Sequence, residues 1–196
     1  MNPKVLAIDG PSGSGKSSTS KQLAIRSNWK YLDTGALYRG ATFAYIKNNL
    51  ESESELIDFL KRNPLVFSCD PKSPTLKLGN LDITDEIRSQ QVTAKVSEIS
   101  QLSNLRELLG SIQREIIKES FPGIVVEGRD IGTVVAPDAD LKVFLFADLS
   151  ARTARREGEL KEKIKSAEVS ASLESRDLKD STRKISPLRP AQDALE

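Results

Sequence analysis

The residues with the most specific chemistry lie between Gly10 and Ser18. Gly10 is followed by four residues and then by Gly15-Lys16-Ser17, which completes the phosphate-binding loop pattern. An apolar run precedes the loop and a helix-compatible run follows it, and this context favours a nucleotide site over a glycine-rich turn that binds nothing. The nucleotide-binding residues expected here are Gly10, Pro11, Ser12, Gly13, Ser14, Gly15, Lys16, Ser17 and Ser18.

The chemistry of this loop is the binding of a nucleoside triphosphate. Free backbone N–H groups and the positive end of the following helix hold phosphate oxygens. Lys16 is expected to reach the outer phosphates, and the Ser17 hydroxyl is expected to bind Mg²⁺. The loop alone leaves open what happens to the third phosphate.

The rest of the composition narrows the chemistry further. The chain has no histidine and a single cysteine, Cys69, which excludes histidine bases, an internal disulfide framework and cysteine-based metal clusters. Phosphoryl transfer remains possible because it depends on positioning and charge more than on a strong base. A net charge of +1 indicates no general attraction to nucleic acid or to a membrane surface. No apolar run is long enough to span a membrane.

Elements that alternate between strand and helix must position these residues. Short apolar runs predict buried parallel strands at 4–9, 29–33, 123–127 and 141–147. Helical patterns cover 16–28, residues 34 to about 46, and 53–62, and the second of these begins at a cap formed by Asp33 or Thr34. The order of elements predicts one α/β domain with a parallel sheet.

The sequence pattern changes between residues 64 and 89. Alternating side chains and two turn signals predict two or three short antiparallel strands, an insert that either has a role or only extends the fold. Residues 90–118 are predicted to be helical with a break near Ser103-Asn104.

Two predicted strands end in residues that could bind a ligand. Arg129 and Asp130 follow strand 123–127, at the sheet edge where open α/β sheets bind ligands. Asp148 follows strand 141–147 and either holds Mg²⁺ in the manner of a Walker B aspartate or begins the turn into the next helix, for which Ser150 is the expected cap.

The chain beyond residue 150 is charged and rich in arginine. Between Arg155 and Leu173 its only sizeable apolar residues are Leu160, Ile164 and Val169, so it cannot bury much core. It is either a solvated helical pair or a mobile lid that closes over phosphates. Its arginines include Arg152, Arg155, Arg156, Arg176 and Arg183.

Four stretches together resemble the bacterial cytidylate kinase family, the CMP/dCMP kinases. They are "IDGPSGSGKSS" (8–18), "YLDTGALYR" (31–39), "EGRDIGTVVAPDADLKVFL" (127–145) and "RDLKDSTRKISPLRPAQDA" (176–194), and the resemblance covers almost the whole chain. It implies the three-layer fold of phosphate-loop (P-loop) NTPases, with a core at about 1–33, 104–150 and 184–196. It also implies an NMP-binding region with a β insert at about 34–103 and a helical lid at about 151–183. The family continues past residues 193–195 with another strand and helix, so we expect the sheet edge here to be less covered than usual.

The resemblance implies transfer of the γ-phosphate of ATP, with Mg²⁺, to CMP or dCMP. The catalytic residues it implies are Lys16, Arg129 and Arg183. Arg39 and Arg129 would bind the acceptor phosphate, and Thr34 would orient it. Ser97 and Arg106 would read cytosine, with Asp130 close to the base. Arg176 and Asp180 would hold the ribose and phosphate side, and Arg183 would arrive with the lid.

The chemistry of these residues suits such roles. Forked guanidinium groups match a phosphate dianion. The Asp130 carboxylate can accept from the exocyclic amine of cytosine, whereas the oxygen that uracil carries there would be repelled. The expected partners are therefore small nucleotides, with no nucleic acid and no membrane, and we expect a cytoplasmic monomer.

Other activities stay open. A related kinase could take GMP or a non-nucleotide alcohol, although the arginines favour a phosphorylated acceptor. A GTPase switch would need an Asn-Lys-x-Asp stretch, which the sequence lacks. A P-loop ATPase or a non-catalytic nucleotide-binding module would bind ATP without transfer to CMP, and the preference between CMP and dCMP is not fixed by these residues.

Overall fold

Strands and helices alternate in the computed structural model, which describes residues 2–159 and 166–196. A single 3₁₀ turn covers Glu86–Arg88 and a π-helical turn covers Ile131–Val135. The elements are β1 (Lys4–Asp9), α1 (Lys16–Ser27), β2 (Lys30–Asp33), α2 (Thr34–Lys47), α3 (Glu53–Arg62), β3 (Leu65–Phe67), β4 (Leu76–Leu78), β5 (Leu81–Asp82), α4 (Gln90–Ile99), α5 (Ser103–Lys118), β6 (Gly123–Gly128), β7 (Leu141–Phe144), α6 (Leu149–Glu159) and α7 (Ser166–Thr182).

The central sheet has the strand order β2-β6-β1-β7, and every neighbouring pair is parallel. The register aligns the carboxyl ends, since Asp9 lies beside Gly128 and Asp33 lies beside Glu127. Three acidic residues therefore meet at the edge from which the phosphate loop leaves β1. The predicted α/β fold with a parallel sheet is confirmed.

Both faces of this sheet are covered, which gives three layers. On one face, Leu32, Ile124 and Val126 pack in a single apolar cluster with Leu37 of α2 and Leu105 of α5. On the other face, Ile8, Tyr31 and Val125 pack with Ala24 of α1. Every residue of β6 is buried, which explains the apolar run from Ile124 to Val126 that precedes the buried Glu127.

The predicted β insert is a three-stranded antiparallel sheet in the order β3-β4-β5. It packs on α2 at Gly40, where an added Cβ would lie 2.7 Å from Leu76 Cδ2 and 2.8 Å from Leu65 Cδ2. Only glycine allows so close an approach, and this contact fixes the insert against the helix that begins at Thr34.

The helical region after the insert is broken as predicted. α4 begins at Gln90 with Ser89 as its cap and ends at Ile99, and α5 begins three residues after Ser100. The break lies at residues 100–102, just before the predicted position.

The last strand and the helix after it differ from the sequence prediction. β7 ends at Phe144 instead of residue 147, because its partner β1 ends at Asp9 and gives way to the phosphate loop. The prediction that Ser150 caps the following helix is wrong. α6 begins at Leu149, and the Asp148 carbonyl oxygen already accepts from the Arg152 N–H at 3.0 Å, so Ser150 lies inside the first turn.

The arginine-rich region forms two helices, α6 and α7, that pack against each other. Val169 and Leu173 of α7 are buried, whereas Leu160 and Ile164 lie outside the described residues. Beside β7, Leu195 makes a parallel bridge to Val143. Among the described residues, no helix has both the length and the apolar character needed to cross a membrane.

Candidate active site

The loop between β1 and α1 has a backbone that requires glycine. Gly10 has a φ of +148°, and a Cβ added there would lie 2.3 Å from the Leu145 carbonyl oxygen. Gly15 has a φ of +96° and directly precedes Lys16, the first residue of α1. The loop thus leads the chain to the start of a helix, where unpaired N–H groups and the helix dipole favour a phosphate.

Lys16 is folded back over this loop. Its Nζ donates to the Pro11 carbonyl oxygen at 2.6 Å and contacts Ser14 Oγ at 3.4 Å. Burial, followed by the nearby positive charge of Arg129, lowers the pKa of Lys16 to about 7, and neighbouring carboxylates, of which Glu127 is the largest contributor, act against this shift. A phosphate placed against this ammonium group would restore its positive charge.

A buried carboxylate, Glu127, faces the loop from the end of β6. It accepts a hydrogen bond from the Tyr31 hydroxyl, and burial together with the charge of Asp33 raises its pKa to about 7. Hydrogen bonding with Ser17 opposes this rise. The hydroxyl and carboxylates at this edge are hard oxygen ligands of the kind Mg²⁺ takes.

The described residues contain no group of three or more acidic, histidine or cysteine ligands able to hold a metal ion by itself. Mg²⁺ in nucleotide sites is usually held by one or two protein groups plus substrate phosphates. The Ser17 hydroxyl, which lines the cavity, is a hard oxygen ligand of that kind. Asp148 is exposed and is not one of the described residues that line the cavity beside the loop.

A cavity of about 750 Å³ runs from the phosphate loop to α4 and α7. It brings together fifteen of the residues predicted from the sequence: Ser12, Gly13, Gly15, Lys16, Ser17, Ser18, Thr34, Arg39, Ser97, Arg106, Arg129, Asp130, Arg176, Asp180 and Arg183. Gly10, Pro11 and Ser14 belong to the same loop but do not line the cavity. Arginines from distant parts of the chain therefore face the loop across one space.

Asp130 is the centre of a buried ion cluster at the far end of this cavity. Its Oδ2 accepts from Arg106 Nη2 at 2.6 Å, and its Oδ1 lies 3.6 Å from Arg183 Nη2. Arg106 also donates to the Ser100 carbonyl oxygen at 3.0 Å, and its guanidinium lies 5.2 Å from the centre of the Tyr38 ring. The cluster presents a carboxylate and forked donors side by side, which is the combination that can read a nucleobase edge.

Arg129 and Asp180 form a second pair nearer the loop. Arg129 Nε donates to Asp180 Oδ2 at 2.9 Å, and Asp180 Oδ1 lies 3.9 Å from Arg183 Nη1. Arg176 lies close by, and burial followed by the charge of Arg129 lowers its pKa to about 10. Concentrated positive charge of this kind favours an anionic ligand.

Two predicted phosphate ligands come from α2. Thr34 Oγ1 donates to the Glu127 carbonyl oxygen at 2.7 Å, which ties the start of α2 to the end of β6. Arg39 Nη1 donates to the Ile87 carbonyl oxygen at 3.2 Å and to Thr93 Oγ1 at 3.0 Å.

Helices α6 and α7 contact the phosphate loop directly. Arg152 Nη1 donates to the Ser12 carbonyl oxygen at 3.1 Å and also to Asp177 Oδ2. The Ser12 N–H donates to Asp177 Oδ1 at 3.2 Å, and Arg155 Nη1 donates to the Ser14 carbonyl oxygen at 3.1 Å. The arginine-rich region therefore closes one side of the nucleotide loop.

Asp9 connects the end of β1 to the turn that follows β6. Its carboxylate accepts from the Ile131 N–H at 2.9 Å and from the Gly132 N–H at 2.8 Å, and these residues follow Asp130 directly. Burial is the main reason that the pKa of Asp9 rises to about 6. One side chain at the end of β1 thus sets where the turn after β6 lies.

Comparison with known proteins shows which family the chain belongs to. The sequence profile of the family described as "Cytidylate kinase" matches residues 6–196. The chain belongs to the cytidylate kinase family. A protein named cytidylate kinase from Streptomyces griseus is 47% identical over 98% of this chain and 84% of its own length. Another of that name from Streptococcus thermophilus is 44% identical over 97% of this chain and 86% of its own length. A solved structure from Thermus thermophilus aligns with 95% of this chain and 86% of its own, at 21% identity and a TM-score of 0.43.

The predicted resemblance to the cytidylate kinase family is confirmed. The prediction that the chain is a nucleoside monophosphate kinase is confirmed with it. The roles of individual residues in this cytidylate kinase fold stay predictions. The cavity nevertheless contains all nine residues predicted to bind the acceptor nucleotide.

Sequence reasoning missed several residues of the site. Glu127 and Asp9 carry no predicted role, because the sequence marks them only as the last residues of the predicted strands 123–127 and 4–9. The signal available was their position, since both are acidic residues at the carboxyl ends of apolar parallel strands. The contact of Asp177 with Ser12 joins residues 165 positions apart, and no local pattern predicts it.

Proposed function

We propose that this protein transfers the γ-phosphoryl group of ATP to CMP or dCMP, with CDP or dCDP and ADP as products. The observation that carries the proposal is the continuous cavity, which has the phosphate loop at one end and the Asp130 ion cluster at the other. ATP would occupy the first end and the monophosphate the second. The cavity volume of about 750 Å³ lies within the range of sites for small molecules.

At the donor end, the loop backbone and Lys16 would hold the ATP phosphates. Ser17 would hold Mg²⁺ together with those phosphates, and Asp33 and Glu127 add negative charge at the same edge. Bound Mg²⁺ would neutralise charge on the phosphates and so assist transfer. Burial of Lys16 keeps its ammonium group out of bulk water. In the less polar interior of the protein the ammonium group acts more strongly on developing charge.

At the acceptor end, Arg39 and Arg129 would bind the monophosphate. Arg176 and Asp180 would hold its ribose and phosphate side. The Thr34 hydroxyl proton is donated to the Glu127 carbonyl oxygen, so Thr34 would orient the phosphate through backbone N–H groups at the start of α2.

Cytosine would be read by the buried pair of Asp130 and Arg106, together with Ser97. The carboxylate can accept from the exocyclic amine, and the guanidinium can donate to the ring nitrogen and carbonyl oxygen. Uracil would place an oxygen against the carboxylate. A site whose buried groups are left unpaired in this way discriminates strongly.

The transition state would be stabilised by positive charge. Lys16, Arg129 and Arg183 line the same cavity, and they would offset charge on the moving phosphoryl group. The attacking oxygen belongs to a phosphate that is already ionised, so the reaction needs no histidine base.

The proposal keeps the division into a core, an NMP-binding region at about 34–103 and a lid at about 151–183, part of which lies outside the described residues. The insert packed on α2 and the contacts of α6 and α7 with the phosphate loop support it. A cytoplasmic location and a monomeric state stay predictions from the sequence.

The test is ADP formation from ATP and Mg²⁺ with CMP, dCMP, UMP, GMP and AMP as acceptors. We expect CMP and dCMP to give the highest kcat/KM. We expect Asp130→Asn to reduce the ratio of kcat/KM between CMP and UMP, while Asp138→Asn, an exposed aspartate outside the cavity lining, leaves the ratio unchanged. A clear preference for GMP or AMP in the unmodified protein would overturn the proposal.

A further inference from the structure

Arg39 differs from Arg106 and Arg129 in its partners. Arg106 and Arg129 each donate to a carboxylate, at 2.6 Å and 2.9 Å. Arg39 instead donates through Nη1 to two neutral oxygens, the Ile87 carbonyl at 3.2 Å and Thr93 Oγ1 at 3.0 Å. Within residues 2–159 and 166–196, the ion pairs include none made by Arg39.

The guanidinium group of Arg39 is therefore held in place by neutral acceptors, without an ion pair among the described residues that would neutralise its charge. Burial and then the neighbouring cation of Arg176 lower its pKa to about 9, Arg156 and Arg88 act in the same direction, and the Asp33 carboxylate acts against them. A half-buried cation with more cations than carboxylates near it gains from a doubly charged anion. Neutral hydrogen-bond acceptors fix its geometry and leave Nε and Nη2 available to a phosphate.

Thr93 supplies one of those two acceptors from a useful place. It is half-buried on α4, four residues before Ser97, so both side chains lie on one face of the helix. Ser97 lines the cavity where the base is proposed to bind. The same face of α4 thus contacts the base subsite through Ser97 and the phosphate ligand Arg39 through Thr93.

We propose that Thr93 is a positioning residue for the acceptor phosphate, which acts by accepting a hydrogen bond from Arg39 through its neutral hydroxyl and linking Arg39 to α4. The proposal rests on the proposed function, because it takes the anion that Arg39 meets to be the phosphate of CMP. Thr93 is expected to affect binding of the phosphate group and not binding of the base.

The experiment compares Thr93→Val, which keeps the shape of the side chain and removes its acceptor, with Thr93→Ser, which keeps the hydroxyl. Calorimetry measures the Kd of CMP and of cytidine, which lacks the phosphate. We expect Thr93→Val to weaken CMP binding by about three- to tenfold, because Arg39 loses one of its two neutral acceptors and keeps the other. Cytidine binding and the Kd of ATP should stay unchanged, and Thr93→Ser should bind CMP as the unmodified protein does.

The Arg39→Ala background separates positioning from a structural effect. If Thr93 acts through Arg39, adding Thr93→Val to Arg39→Ala should weaken CMP binding by less than about twofold, because the single effects of coupled residues do not add. An equal loss in both backgrounds, or an equal loss of CMP and cytidine binding, would overturn the inference. Failure of the unmodified protein to phosphorylate CMP would contradict the proposed function instead, and calorimetry would still report on Thr93.

Discussion

The donor end and the acceptor end of the cavity are built in different ways. The donor end is one stretch of nine residues, Gly10 to Ser18, whose backbone is proposed to do most of the binding. The acceptor end is built from side chains on α2, α4, α5, α7 and the end of β6, and ion pairs such as Arg106 with Asp130 hold it together. A site made from local backbone is specified within a few residues, whereas a site made from distant side chains depends on the whole fold.

The largest expected effect comes from the donor end. We expect Lys16→Met to lower kcat with CMP by a factor of at least ~10³, because one cation on the transferred phosphoryl group can be worth that much. The apolar Met replaces a buried cation, so the free energy of unfolding should not fall. Steady-state kinetics and urea unfolding measure the two quantities.

The Kd of CMP should stay unchanged in Lys16→Met, since Lys16 is assigned to the donor. Lys61→Met, an exposed lysine of α3, is the matched control and should keep full activity. Loss of CMP binding together with loss of turnover would show that the two ends are not separate.

The acceptor end should be the more fragile of the two. Asp130→Ala leaves Arg106 and Arg183 buried without their carboxylate, and we expect it to lower the free energy of unfolding by about 3 kcal/mol. Urea unfolding of this variant beside Asp138→Ala, an exposed aspartate, measures the difference. Equal stability of the two variants would mean that the ion cluster does not hold the acceptor end together.

The stabilising contribution of Asp9, which connects the end of β1 to the turn after β6, should depend on pH. The pKa of Asp9 is about 6 in the folded protein, against an ordinary value of 3.8. The folded state therefore binds this proton more tightly than the unfolded chain does. Its contribution to stability is fully present below about pH 4 and is lost as pH rises through about 6, with a slope of at most about 1.4 kcal/mol per pH unit.

Asp9→Asn removes this titration, so the unfolding free energy of the unmodified protein minus that of Asp9→Asn should fall between pH 4 and pH 6. A difference that rises with pH would mean that the N–H groups of Ile131 and Gly132 stabilise the carboxylate more than burial penalises it.

The smallest effect is expected where α7 contacts the donor loop. Asp177→Asn weakens the contacts with the Ser12 N–H and with Arg152. We therefore expect the KM for ATP to rise by about threefold, while the KM for CMP stays unchanged. A change in the KM for CMP of the same size would assign α7 to the acceptor end as well.

The same contrast explains what the sequence could predict. The loop, the parallel strands and the insert follow from local patterns, and the structure has them close to the predicted residues. The roles of Arg39 and Arg106 could be proposed only from the family resemblance, because a lone arginine on a helix carries no local signal. The end of β7 was misplaced because it depends on where β1 stops, which is a tertiary property. The start of α6 was misplaced because the Asp148 carbonyl oxygen already accepts the first helical hydrogen bond, from the Arg152 N–H.

The acceptor end contains partners that no spacing rule predicts. Arg129 and Asp180 are 51 residues apart and Arg106 and Asp130 are 24 apart, yet each pair is within hydrogen-bond distance. Their contact follows from the sheet register and from how α7 packs, and these are known only once the fold is known.

The most direct test of the account is to follow the phosphoryl group itself. Unmodified protein is incubated with Mg²⁺, CMP and ATP that carries a radioactive label in its γ-phosphate, and the products are separated by chromatography. Two nucleotides that meet in one cavity should transfer the label to the β-phosphate of CDP, at a rate that equals ADP formation. Label that appears only as inorganic phosphate, with CMP recovered unchanged, would contradict the account.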